Sequence, residues 1–127
     1  MPYYTIEIQS HNGHVETRSI ALTRCLIGRD GAHVLVDDAG ASRRHAELRF
    51  ENLKLFVKDL RSTNGTRMFG RLISVQELLP GQSFQIGATT FVLVSIHAED
   101  WVGEQDKTIM TEALADWIDE DNEPVKK

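Results

Sequence analysis

Apolar and polar residues alternate in short runs through the first three quarters of the chain. Residues 3–9 set the pattern, with Tyr4, Ile6 and Ile8 on one side and Tyr3, Thr5 and Glu7 on the other, the period of two that marks a half-buried strand. The turn signal His11-Asn12-Gly13 precedes predicted strands at 15–22 and 24–27, and a short apolar run covers 33–36. Residues 46–50 and 53–60 read as a hairpin joined at Glu51-Asn52. Leu48 and Phe50 alternate with charged neighbours in its first arm, and Leu53, Leu55 and Val57 do so in its second. Asn64-Gly65 is a strong turn signal, because that pair tolerates the positive φ of tight turns. Strands at 66–69 and 72–75 flank a Gly70-Arg71 turn; Pro80-Gly81 and Gly87-Ala88 bracket 82–86; residues 89–96 close the set. About ten or eleven short strands with frequent turns predict an all-β fold, a two-sheet β-sandwich.

The period changes in the last thirty residues. Across 106–120 the apolar positions are Ile109, Met110, Ala113, Leu114, Trp117 and Ile118, which line one face of an amphipathic helix. Asp106 or Thr108 would cap it, and the charged stretch 119–127, interrupted by Pro124, is expected to lack regular structure. The expected division is therefore a β domain at 1–97 and an acidic tail with one helix at 98–127. Charge follows the same division. The formal net charge is −5, yet residues 1–97 carry 11 Lys/Arg against 9 Asp/Glu, while 98–127 carry 3 against 10. A mildly basic body suits an anionic ligand, and the acidic tail argues against nonspecific nucleic-acid binding.

Other classes find little support. The longest apolar stretch, near 90–96, is far short of the ~20 residues a membrane span needs, and no apolar run follows a basic start as a signal peptide would. The single cysteine, Cys25, allows no internal disulfide and fits a reducing, cytoplasmic setting. His11, His14, His33 and His97 lack metal-ligand spacing, so no metal or cofactor is expected.

Three short words carry the chemistry: Gly28-Arg29, then Ser42-Arg43-Arg44-His45, then Ser62-Thr63-Asn64-Gly65-Thr66. Each falls in a turn between predicted strands, and loops at one end of a sandwich can bring distant turns together. A phosphate on a peptide carries about −1.5 to −2 charges and three acceptor oxygens. Guanidinium groups meet such oxygens with two parallel hydrogen bonds and stay charged, while hydroxyls and free backbone N–H groups complete a cage.

In this order and at these separations the words resemble the signature of the forkhead-associated (FHA) domain, a phosphothreonine-recognition module. The flanking Leu26-Ile27 and Asp59-Leu60 agree, and the resemblance covers about 3–96. It implies that Arg29 reaches the phosphate or the adjacent peptide backbone and that Ser42 donates its hydroxyl to a phosphate oxygen. Arg43 would touch the phosphate or nearby backbone, Thr63 would add a backbone or hydroxyl contact, and Asn64 would pair its amide with the peptide main chain. Gly28, His45 and Gly65 would support the site, His45 by bracing the loops and Gly65 by its turn geometry. The implied partner is a phosphothreonine-bearing protein, a Ser/Thr kinase or its substrate among them, bound without chemistry in kinase-dependent signalling. Specificity in this family usually depends on the residue three after the phosphothreonine. The reading surface would lie near 81–83 or 87–89, and Arg61, Arg67 and Arg71 leave an acidic preference open.

Two other readings compete. One is a sandwich that mediates assembly without phosphate. The other is a hydrolase built on Ser42 and His45, with Asp59 as third member, although the Ser-x-x-His spacing lacks a nucleophile elbow. In the tail, Thr108 and Thr111 are candidate phosphorylation sites that the domain could capture between two chains or within its own, the latter favoured by high local concentration where the linker can span the distance. Thr108 as a simple helix cap is the plainer alternative.

Overall fold

The computed structural model describes residues 1–98, which form eleven strands. These are β1 (Tyr3–Gln9), β2 (Val15–Ile20), β3 (Arg24–Gly28), β4 (Val34–Leu35), β5 (Ala46–Glu51), β6 (Lys54–Asp59), β7 (Arg67–Met68), β8 (Arg71–Leu72), β9 (Val75–Leu78), β10 (Ser83–Ile86) and β11 (Thr89–His97). One sheet has the order β2-β1-β11-β10-β7-β8 and the other β4-β3-β5-β6-β9. Neighbours are antiparallel except β3 and β4, which are parallel. The helix expected over 106–120, with Thr108 and Thr111, lies outside the described residues.

The alternation that predicts the strands also fills the core. Tyr4, Ile6 and Ile8 of β1 are buried in turn, and Phe84, Ile86, Phe91 and Leu93 extend that face across β10 and β11. Ile27, Leu48, Phe50, Leu55 and Val57 answer from the second sheet. Tyr4 meets Phe50 edge-on across the two layers at 4.9 Å, and Phe84 stacks on Phe91 at 4.8 Å, geometries that add to their burial. Each such aliphatic or aromatic side chain contributes about 1.5–3 kcal/mol by leaving water. Between Thr5 and Ile6 the register with β11 slips, leaving Val94 as an extra, exposed residue. This bulge shifts the inward face of the strand before His97 stacks on Tyr3.

The chain departs from its sequence pattern in four places. The β5–β6 hairpin turns at Asn52-Leu53, both with positive φ, so Leu53 is an exposed turn residue and not part of the strand's apolar face. The flanking charges are not all solvated either: Glu47 and Glu51 are buried, and Glu47 pairs with Arg24 and Arg49 at 3.4 and 3.3 Å. The single strand expected at 72–75 is two. β8 ends at Leu72, the chain crosses between layers at Ile73, and β9 pairs with β6 in the other sheet. Ile73 is partly buried against the core at that crossing, so an apolar residue that looked like strand interior marks the change of sheet. Finally, Asn64-Gly65 does not close a hairpin, because it joins β6 of one sheet to β7 of the other.

A candidate phosphate site at the loop end

The site begins with a close approach of two loops. Gly28 ends β3 directly against the backbone of Arg43, where a Cβ would fall 1.8 Å from the Arg43 carbonyl oxygen. Glycine is required there for room, not for an unusual φ. The contact lets Arg29 N–H donate to the Ser42 carbonyl at 2.9 Å and Asp30 N–H to the Arg43 carbonyl at 3.2 Å. Arg29, Arg43 and Arg44 are exposed and their guanidinium groups make no ion pair with another described residue.

His45 holds the next layer. It is fully buried; its Nδ1 accepts from Ser42 N–H at 2.9 Å, and its Nε2 bonds the Gly65 carbonyl at 2.9 Å. Those two partners fit the imidazole with its proton on Nε2. Its backbone N–H donates to Ile27 and its carbonyl accepts from Leu60. One side chain thus ties the β4–β5 loop to the β6–β7 loop, while its main chain joins β3 to the end of β6. Ser42 and His45 are not a nucleophile and its base, since both ring nitrogens are occupied by backbone groups.

The β6–β7 loop is shaped by Asp59. Its Oδ1 accepts from the Ser62 and Thr66 hydroxyls at 2.6 and 2.7 Å, and its Oδ2 accepts from Ser62 N–H at 3.1 Å. The Ser62 hydroxyl in turn accepts from Gly65 N–H at 2.9 Å. Burial pushes the Asp59 carboxyl up, but the hydrogen bonds from Ser62 and Thr66 outweigh it and hold the group below the ordinary carboxylate range. So braced, the loop delivers Thr63 N–H to the Ser42 hydroxyl oxygen at 3.0 Å and the Asn64 amide nitrogen to the Gly40 carbonyl at 3.0 Å.

Asp38 anchors the remaining loop. This 7 % exposed carboxylate accepts from Gly40 N–H at 2.8 Å, Ala88 N–H at 2.9 Å and the Thr89 hydroxyl at 2.8 Å. Here too burial acts upward and is outweighed by these bonds, leaving the group below its usual range. Gly87 has φ of 60° and lies so near Asp38 that a Cβ would come within 2.4 Å of Oδ1. Of the two turns expected near the reading surface, 87–89 is therefore joined to the site loops, whereas 81–83 lies at the other end of β10.

Arg29, Ser42, Arg43, Thr63 and Asn64 thus share one end of the sandwich, with Gly28, His45 and Gly65 beneath them. Gly65 has φ of 86°, and a Cβ there would meet Leu72 at 2.4 Å. The expectation for Thr63 is narrowed: its N–H is spent on Ser42, leaving its hydroxyl for a ligand. The Ser42 oxygen accepts from Thr63, so its own proton is available to donate. Sequence reasoning missed the anchoring roles of Asp38, Ser62 and Thr66, and weighed Asp59 as a triad member and a flank of the resemblance, not as a loop anchor. The Asp-x-x-Ser spacing of Asp59 and Ser62 was a local signal for such a turn.

A two-sheet sandwich with an arginine-rich loop site around a braced serine defines the class of an anion-recognition module. Residues 25–87 match the family model of the FHA domain. The chain thus carries a forkhead-associated domain. It is 29% identical over 94 residues to the FHA domain-containing protein FhaA of Mycobacterium tuberculosis, covering 73% of this chain and 18% of that protein. It is 37% identical over 62 residues to the glycogen accumulation regulator GarA of the same species, covering 49% of this chain and 38% of GarA. The chain therefore spans well under two thirds of either relative. A solved domain from a structural and functional study of phosphothreonine-dependent FHA domain interactions superposes with a TM-score of 0.67 and 26% identity, over 76% of this chain and 99% of that one.

Proposed function

We propose that this chain reads phosphothreonine in extended protein segments, without chemistry, as a cytoplasmic component of kinase-dependent signalling. The observation that carries this is Ser42: a hydroxyl locked at the meeting of three loops, its proton free to donate, beside arginines with no partner among the described residues. In this reading Arg29 and Arg43 bind phosphate oxygens, Ser42 and Thr63 donate hydroxyl hydrogen bonds, and Asn64 uses its unpaired carbonyl oxygen and second amide hydrogen on the peptide backbone. Gly28, His45 and Gly65 hold those groups in place. The threonine methyl adds about 0.8 kcal/mol over serine if it is buried. The solved FHA domain studied for phosphothreonine-dependent interactions supports the ligand class, and the occupied imidazole of His45 supports binding over hydrolysis. The β domain would be residues 1–97, and Thr108 or Thr111, once phosphorylated, would offer it a segment of its own chain.

The test is a phosphothreonine peptide library with phosphoserine and unphosphorylated controls. Wild-type protein binds selected phosphothreonine peptides with Kd on the order of 1 μM, and Arg29→Ala removes most of that affinity while leaving the circular dichroism spectrum unchanged. Equal binding of phosphorylated and unphosphorylated peptides would favour the assembly reading instead.

A further inference from the structure

Four described residues other than glycine have positive φ: Asn52, Leu53, Arg61 and Phe69. Three are explained by two-residue hairpin turns, Asn52-Leu53 between β5 and β6 and Phe69-Gly70 between β7 and β8, which need that conformation to match strand twist. Arg61, with φ of 55°, belongs to no hairpin. It stands in the loop that changes sheets, two residues before Thr63.

Both flanks of Arg61 are fixed. Leu60 N–H donates to the His45 carbonyl at 2.9 Å, and Ser62 is held through its N–H and its hydroxyl by Asp59. Between these anchors Arg61 lies in the left-handed region, where a Cβ crowds the following carbonyl oxygen and glycine fits without strain. The Arg61 side chain is exposed and makes no hydrogen bond or ion pair with another described residue. It therefore strains the loop without helping to hold it. Strain of this kind at a binding loop points to a task for the side chain.

The chemistry of that task follows from the group. A guanidinium is a permanent cation whose planar fork matches carboxylate and phosphate oxygens. Arg67 and Arg71, also exposed, sit on ordinary strand backbone in β7 and β8 and carry no such strain. Resting on the function proposed above, we propose that Arg61 is a specificity residue that pairs with a second anionic group, a carboxylate or another phosphate, in the segment whose phosphothreonine occupies the Ser42 site.

Fluorescence anisotropy with phosphothreonine peptides tests this. Each position flanking the phosphothreonine carries alanine, aspartate, glutamate or a second phosphothreonine in turn. Wild-type protein gains about fivefold in affinity from an anionic residue at one position, the upper end for an exposed pair. Arg61→Gly binds the alanine-flanked peptide as wild type does, loses that gain, and melts no lower than wild type. Arg61→Gln also loses the gain while keeping the bulk of the side chain. Comparison of the carboxylate and phosphate arms names the source of the anion. Survival of the gain in both variants overturns the assignment, as does a lower melting temperature for Arg61→Gly, which would make the side chain a structural brace. If wild type binds no phosphothreonine peptide at all, the function proposed for the site falls first and this inference with it.

Discussion

Asp38 and Asp59 show how single residues fix the loops that carry the proposed site. Each carboxylate collects three donors from backbone and hydroxyl groups that would otherwise point in different directions. Both have a folded-state pKa below the unfolded value. Their stabilisation is therefore complete above the unfolded carboxylate pKa, about 3.9, and drains away as pH falls through the lower folded value. Thermal melts should give a steady Tm at pH 5 to 7 and a falling one below about pH 4. Asp59→Asn should begin with a lower Tm at neutral pH and show a shallower acid slope; an unchanged slope would mean the carboxylate is not what acid removes. Cys25 is the opposite case. Burial pushes its thiol up to about 11, so at neutral pH it stays protonated and behaves as a small core side chain.

Among the elements, strands with one clean apolar face were readable and the junctions between them were not. Tyr3–Gln9 alternates in sequence and in burial alike. Val75–Leu78 buries just Leu78 fully, so its pattern offers little to read, and the strand expected at 72–75 stops where β9 begins. The β5–β6 turn was displaced by one residue because leucine looks like strand interior, whereas the backbone demands positive φ at both Asn52 and Leu53. Leu53 is also 44% exposed, so it loses little burial on replacement. Leu53→Gly should therefore stabilise the hairpin despite the greater chain entropy of glycine, raising Tm by about 2–5 °C. Differential scanning calorimetry would register this, and a lower Tm would show that the leucine packs usefully where it is.

For the molecule as a whole, the loop words announced which side chains would meet, but not what holds them there. Gly28-Arg29, Ser42 and Asn64 were legible because, in that order and at those separations, they resemble the forkhead-associated signature. Asp38 was not, because its partners Ala88 and Thr89 lie 50 and 51 residues away and nothing local marks them. The hydrophobic cluster from Tyr4 to Leu93 is drawn from β1 to β11, and Tyr3 and His97 stack at the margin of the first sheet. A fragment of residues 1–98 should accordingly unfold in one cooperative transition, with a Tm within about 4 °C of the full chain, equivalent to less than about 1 kcal/mol for a domain of this size. Loss of cooperativity in urea denaturation would place part of the core's support beyond residue 98.

Gly40 and Gly87 face each other so closely that a methyl group on the former would come within 3.0 Å of the latter's Cα, and Asp38 clasps both sides. Anyone transplanting a new recognition preference from another member of the family would have to move 37–42 and 86–89 together. Either segment grafted singly would meet a partner cut to a different shape.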